Sequence, residues 1–292
     1  MKFQGIIPPV ITPFTQDGSI NRLALRKVFD YLIDNGVSGV FVAGSQGEFF
    51  SMTTEEREEL FIIAVEETAG RVPVFAGTGA VTTSEAVRLS KAAQKAGCDA
   101  VSVIPPYFIS PNGDELYDHY ASIAKSVDIP VLLYNNPGRV GYTLPISTVK
   151  ELAKIENIVG MKDSAGNLTY VNELIRQLDS DFAVFSGMDT VIFNILTSGG
   201  AGAVPASGNV APKLVVNLYN AIKAGDLEKA REYQFKLTSL RNAFSLGSFP
   251  VVIKEALDMM GFGVGPARLP IKPISEENRE KLKEVLIDLD LI

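Results

Sequence analysis

Asn157-Ile158-Val159-Gly160-Met161-Lys162-Asp163-Ser164-Ala165-Gly166-Asn167 is the stretch on which the fold turns. An apolar run of strand length ends on a lysine and passes at once into a polar turn containing glycine. Comparable apolar runs recur at Ile6-Ile7, Val40-Phe41-Val42, Val72-Pro73-Val74-Phe75, Val101-Ser102-Val103-Ile104, Val131-Leu132-Leu133, Ala183-Val184-Phe185 and Ala203-Val204. Successive runs lie roughly 20–40 residues apart, the size of a strand-helix-strand unit. Helical patterns fill the gaps. Thr53-Thr54-Glu55-Glu56 and Thr82-Thr83-Ser84-Glu85 both read as capping boxes, and Ala86, Leu89, Ala93 and Ala96 fall on one helical face. Asn35-Gly36, Ala69-Gly70 and Ala96-Gly97 mark helix ends.

Short strands that are apolar on both faces, alternating with helices, predict an α/β chain closed into a (β/α)8 barrel. The competing fold, an open doubly wound sheet, lacks its Gly-x-Gly-x-x-Gly loop after the first strand. Beyond residue 224 the strands stop, and segments near 226–242, 249–260 and 275–290 read as helices. The expected division is a catalytic barrel over 1–224 and a helical extension over 225–292.

The 292 residues suit such a barrel, and 46% hydrophobic with 21% charged residues is an ordinary globular balance. No apolar stretch reaches the ~18 residues of a membrane span, and Ile6-Ile7-Pro8-Pro9 is too short for a signal-peptide core. A cytoplasmic location is expected. Lys and Arg number 27 against 34 Asp and Glu, and a net charge of −7 argues against nucleic acid as a partner. Cys98 is the lone cysteine and reads as a small buried filler. His119 is the lone histidine, which excludes zinc sites built on two or three histidines. No metal and no cofactor are expected.

Reactive groups in a barrel gather at the carboxyl ends of its strands. There the chain presents Gly44-Ser45-Gln46-Gly47-Glu48, Pro105-Pro106-Tyr107-Phe108, Tyr134-Asn135-Asn136-Pro137-Gly138-Arg139, Lys162, Ser186-Gly187-Met188-Asp189 and Ala206-Ser207-Gly208-Asn209. A lysine closing a buried strand loses hydration, which disfavours its charged form; a free amine in a dry pocket can attack a ketone and form a Schiff base. The Gly44-to-Gly47 turn can aim backbone N–H groups and the Ser45 hydroxyl at a carboxylate. Tyr134 can shuttle protons, and Arg139 can hold a second carboxylate or sugar hydroxyls. Structural readings stand beside these: Lys162 marking a strand's exit into solvent, an ordinary strand-to-helix turn, a buried tyrosine with a satisfied hydroxyl, and a surface or interface ion pair.

Together with Thr12-Pro13-Phe14, Gly77-Thr78-Gly79, Gly160-Met161-Lys162-Asp163, Gly166-Asn167 and Leu269-Pro270, these motifs resemble the dihydrodipicolinate synthase/N-acetylneuraminate lyase family of pyruvate-dependent class I aldolases. The resemblance runs from Gly5 nearly to the C-terminus. It implies a barrel with a helical extension, commonly a homotetramer, and a covalent imine in place of a cofactor. Lys162 would form the Schiff base, with Tyr134 relaying protons and Ser45 assisting. Gln46 and Gly47 would join Ser45 around pyruvate's carboxylate, Gly187 and Val204 would line the pocket, and Tyr107 and Arg139 would meet substrate.

Two features separate the chain from typical dihydrodipicolinate synthases, which carry two threonines where Ser45 and Gln46 stand and a relay tyrosine at the position of Phe108. Arg139 matches the arginine those synthases use on the aspartate semialdehyde side. Gly5-Ile6-Ile7-Pro8-Pro9-Val10, Ala206-Ser207-Gly208-Asn209 and Val252-Ile253-Lys254-Glu255-Ala256 resemble members that cleave 2-keto-3-deoxy sugar acids. The expected reaction is therefore reversible cleavage of a 2-keto acid such as 2-keto-3-deoxygluconate to pyruvate and an aldehyde. The alternative is 4-hydroxy-tetrahydrodipicolinate synthesis from pyruvate and aspartate semialdehyde. A keto-acid dehydratase or deaminase, or a non-catalytic paralogue, stands behind both.

Overall fold

The computed structural model describes residues 3–292. Its strands are β1 (Gly5–Ile6), β2 (Val40–Val42), β3 (Val74–Gly77), β4 (Ala100–Val103), β5 (Val131–Asn135), β6 (Ile158–Asp163), β7 (Ala183–Ser186) and β8 (Gly202–Ala203). They pair in the order β1-β8-β7-β6-β5-β4-β3-β2, all parallel. The two ends of that series also meet. Pro9 bridges Phe41, with Val10 N–H donating to Phe41 O at 2.8 Å and Phe41 N–H to Pro8 O at 3.0 Å. The sheet is thus a closed cylinder, as the recurring apolar runs predict. β1 and β8 approach so closely that a Cβ on Gly202 would stand 2.0 Å from Gly5 O.

Around the cylinder lie α1 (Arg22–Asp34), α2 (Thr54–Thr68), α3 (Thr83–Ala96), α4 (Gly113–Lys125), α5 (Pro137–Val140), α6 (Ile146–Leu152), α7 (Leu168–Gln177), α8 (Ile192–Thr197) and α9 (Pro212–Lys223). Thr53 caps α2 with a complete box: its hydroxyl accepts from Glu56 N–H at 3.2 Å, and the Glu56 carboxylate accepts from Thr53 N–H at 2.8 Å. The second expected box is only half formed. Thr82 accepts from Glu85 N–H at 3.3 Å, but the Glu85 carboxylate takes the Thr54 hydroxyl of the neighbouring helix instead. Ala86, Leu89 and Ala93 are fully buried on the inner face of α3. Cys98 is buried, and burial pushes its thiol up to about 12.

Side chains alternate along a strand, so each strand feeds two cores. The outer faces pack beneath the helices. Inside, Phe3, Ile7, Phe41, Phe75, Leu132 and Phe185 form a plug across the cylinder. Two residues beyond Leu132 on β5 comes Tyr134, and two beyond Phe185 on β7 comes Gly187, so both face the axis above the plug. Register supplies the third group: Lys162 on β6 is paired directly with Tyr134 on β5 and with Phe185 on β7.

The chain then continues into α10 (Leu227–Ala243), α11 (Val251–Met259) and α12 (Glu276–Asp288). Ala230 and Leu237 of α10 pack on Ile192, Val215 and Leu218, while Val251, Val252, Ile253, Ala256 and Leu257 of α11 are buried. The turn between α10 and α11 arches over the carboxyl ends of the strands. Among the described residues, no helix is long and apolar enough to cross a membrane.

Candidate active site

Above the plug lies a cavity of about 280 Å³, lined in part by Val204 of the same inner cluster. That volume is close to the lower end for small-molecule pockets, ~300 Å³. Strand ends line one side, through Ser45, Gln46, Tyr134, Lys162, Gly187 and Val204. The helical extension lines the other, through Arg241, Phe244, Ser245, the Gly247-to-Pro250 turn, Val252 and Ile253.

Lys162 is 4% exposed, and its Nζ lies 4.2 Å from the centre of the Tyr134 ring and 5.3 Å from that of Phe41. Among the described residues it makes no ion pair and no hydrogen bond. An ammonium without a partner in such a place is costly, so a structural purpose for this lysine is hard to find. The strand-exit reading fails, because the side chain turns inward onto the barrel axis. Gly187 makes room for it: a Cβ there would stand 2.8 Å from Lys162 Cε and 2.1 Å from Ser164 Oγ.

Tyr134 is buried beside the lysine, and Asn136 Nδ2 donates to its hydroxyl at 2.8 Å. Burial is the largest single influence and pushes the phenol up, but the Lys162 charge together with the polar side chains of Ser164, Ser45 and Asn136 outweighs it. The net pKa falls below the usual tyrosine value. The ends of β5 and β6 are fastened together: Asn135 Nδ2 donates to Asp163 Oδ1 at 2.6 Å, and Asn135 Oδ1 accepts from Leu144 N–H at 3.0 Å. Burial raises the Asp163 pKa, against the pull of Asn135 and the N–H groups of Ala165 and Gly166.

Ser45 and Gln46 both reach the cavity, and Gln46 Oε1 is buried without a hydrogen-bond partner. The N–H groups of Ser45, Gln46 and Gly47 donate to no backbone carbonyl among the described residues. Arg139 lines the cavity with its guanidinium 4.1 Å over the Phe249 ring, and no carboxylate among the described residues pairs with it. Among the described residues, then, no surface ion pair holds it.

Two expected substrate contacts lie elsewhere. Gly47 does not line the cavity; its carbonyl takes the Thr12 hydroxyl at 2.6 Å, and a Cβ there would press on Val10 O at 2.9 Å, so close packing explains the glycine. Tyr107 is also off the wall, because its ring packs edge-on against Phe49 at 5.9 Å. Phe108 is 99% exposed at φ 73°, pointing away from the cavity of its own chain.

Sequence reasoning gave no role to Asp189, Arg241 or the turn between α10 and α11. Asp189 is buried; it accepts from Ser207 N–H at 2.9 Å and faces Arg241 Nε at 3.4 Å. The broken helical pattern at Gly247-Ser248-Phe249-Pro250 was the signal available, but nothing local says that it faces the strands.

The sequence profile described as the dihydrodipicolinate synthetase family matches residues 2–289. The chain belongs to this family. It is accordingly an enzyme of the pyruvate-dependent class I aldolase type, in which a lysine imine replaces an external cofactor. The 4-hydroxy-tetrahydrodipicolinate synthase of Methanosarcina barkeri is 39% identical over 291 residues, 99% of each chain. That of Methanoculleus marisnigri is 40% identical over 98% of this chain and 99% of its own. Among solved structures, dihydrodipicolinate synthase from Aquifex aeolicus superposes with a TM-score of 0.96 at 36% identity, over 99% of both chains. YagE, an E. coli prophage protein of the same family solved in complex with pyruvate, gives 0.96 at 38% identity, again over 99% of both.

Proposed function

We propose that this enzyme condenses pyruvate with aspartate semialdehyde, acting as a 4-hydroxy-tetrahydrodipicolinate synthase. The observation that carries the reading is the unpartnered Lys162 amine buried beside Tyr134, with the unpaired Arg139 guanidinium elsewhere on the same cavity wall. Once it has given up its proton, the Lys162 amine adds to C2 of pyruvate, and the carbinolamine loses water to an imine. Loss of a C3 proton gives an enamine, whose C3 bonds to the aldehyde carbon of the second substrate. Tyr134 carries protons for these steps, Ser45 and Gln46 hold pyruvate's carboxylate, and Arg139 takes the carboxylate of the semialdehyde. Gly187 and Val204 shape the wall beside the imine.

The full-length relatives named for this synthesis favour it over the sugar-acid cleavage expected from local motifs. One observation keeps sugar-acid cleavage as a second reading. Phe108 cannot relay a proton, and Ser245, Ser248 and Arg241 give the cavity's outer wall a polar character suited to hydroxyls. A cytoplasmic homotetramer belongs to the proposal in either case.

Borohydride reduction with pyruvate is expected to add the reduced pyruvyl mass at Lys162, and Lys162→Ala to abolish turnover. An adduct at another lysine would refute the assignment. Condensation of pyruvate with aspartate semialdehyde, assayed beside pyruvate release from 2-keto-3-deoxygluconate, decides the substrate; faster release from the sugar acid would overturn the synthase reading.

A further inference from the structure

Glu48 follows the Ser45-Gln46 turn immediately and is wholly buried with a left-handed backbone, φ 58°. Its side chain is not free to reach water. Oε1 meets Lys254 Nζ at 2.6 Å, and Oε2 accepts from Arg268 N–H at 3.0 Å. Lys254 is equally enclosed, 1% exposed, with Nζ donating to Pro266 O at 2.9 Å and standing 4.4 Å from the Phe14 ring. On α11, Lys254 directly follows Val252 and Ile253, which line the cavity. Arg268 anchors the third strand of this knot, donating to Ser51 O at 2.7 Å and Glu56 Oε2 at 2.8 Å.

A buried ion pair is a poor device for stability alone, since apolar replacements of similar volume are often neutral or better. Its use lies in where it fixes the chain. An unpaired carboxylate at Glu48 would seek water, and any shift it makes is passed by the backbone directly to the turn that carries Ser45 and Gln46, two and three residues earlier. We infer that Lys254 and Glu48 are a positioning pair: the helical extension holds the Ser45-Gln46 turn in the geometry that receives pyruvate's carboxylate. The inference rests on the reading of that turn as the carboxylate site and adds what keeps it in place.

The test measures borohydride trapping at Lys162 against pyruvate concentration in the wild type, Lys254→Met, Glu48→Gln and the double variant, with thermal unfolding alongside. Lys254→Met leaves the carboxylate unpaired and is expected to raise pyruvate half-saturation about tenfold, while the trapping rate at saturation changes by less than about threefold. Glu48→Gln, which keeps an acceptor for Arg268 N–H, is expected to raise it about threefold. In the double variant no charge is stranded, and half-saturation is expected to return to within about twofold of wild type.

Lower thermal stability with unchanged half-saturation would reduce the pair to a structural one and overturn the inference. An equal fall in saturating rate and affinity would do the same. Should Lys254→Met fail to fold, Glu48→Gln and the double variant decide between these outcomes. A wild type that forms no adduct at Lys162 would instead remove the functional reading itself, a result distinct from an adduct whose pyruvate dependence ignores position 254.

Discussion

At the scale of single residues, Lys162 acts on Tyr134. Burial penalises the phenolate most, but the lysine's charge and the hydrogen bonds of Ser164, Ser45 and Asn136 together outweigh that penalty, and the phenol's pKa falls below its usual value. The sign of the pH effect follows. As pH rises, Tyr134 loses its proton in the folded chain while tyrosines of the unfolded chain still hold theirs. Its contribution to stability therefore grows as pH rises through the depressed pKa, is complete above the unfolded value, and is lost as pH falls back through the folded one. Tyr134→Phe should remove that alkaline increment in thermal unfolding. It should also lower turnover by about 10²–10⁴-fold, the usual worth of a positioned proton carrier.

Gly187 gives a second residue-scale prediction. An added methyl must displace Ser164 Oγ and Lys162 Cε, both on movable side chains, and it also meets the fixed Asp163 carbonyl at 3.0 Å. Gly187→Ala should therefore cost about 1–3 kcal/mol of stability, read by denaturant unfolding. The rate of imine trapping should fall by at least about tenfold, because near-attack geometry tolerates little displacement. A loss of stability with an unaltered trapping rate would show that the lysine can move aside freely.

At the scale of elements, much was legible because the signals are local. Apolar runs ending in polar turns located the strands, and the lysine and tyrosine were found because strand ends are where barrels carry reactive groups. The capping boxes show the limit of such reading. Thr53 and Glu56 close on each other, whereas Glu85 is taken by Thr54 from the adjacent helix, a competition no single segment reveals. Removing a complete cap costs more than removing half of one, so Thr53→Ala should lower stability by about 1 kcal/mol, and Thr82→Ala by less. Thermal unfolding of the two variants compares them directly. The other half of the cavity wall was not legible for a related reason. Arg241, Phe244 and Phe249 reach the strand ends from an element that shares no periodicity or motif with them.

At the scale of the whole molecule, one aromatic feature stays largely uncovered by the described residues. Phe108 is 99% exposed, Phe50 51% and Ile109 48%, and the ring of Phe49 links Phe50 to Tyr107. We expect a second copy to cover this aromatic surface in the proposed homotetramer. Phe108→Asp should then shift the sedimentation coefficient toward smaller species while circular dichroism stays unchanged. A wild type that sediments as a monomer would sink the expectation. The proposed division at residue 224 has its own check: limited proteolysis should cut near Ala224-Gly225-Asp226 before it cuts the strands.

The cavity has two unlike sides, and this matters to anyone who wishes to retarget the enzyme. Bond making rests on stiff strand ends fastened by Asn135 and Asp163, whereas the far wall is a turn between two helices. Libraries randomised over Phe244, Ser245, Ser248 and Phe249 would sample new aldehyde partners without disturbing the imine. Evolution has the same freedom, and a change of substrate in this lineage can begin in the helical extension rather than in the barrel.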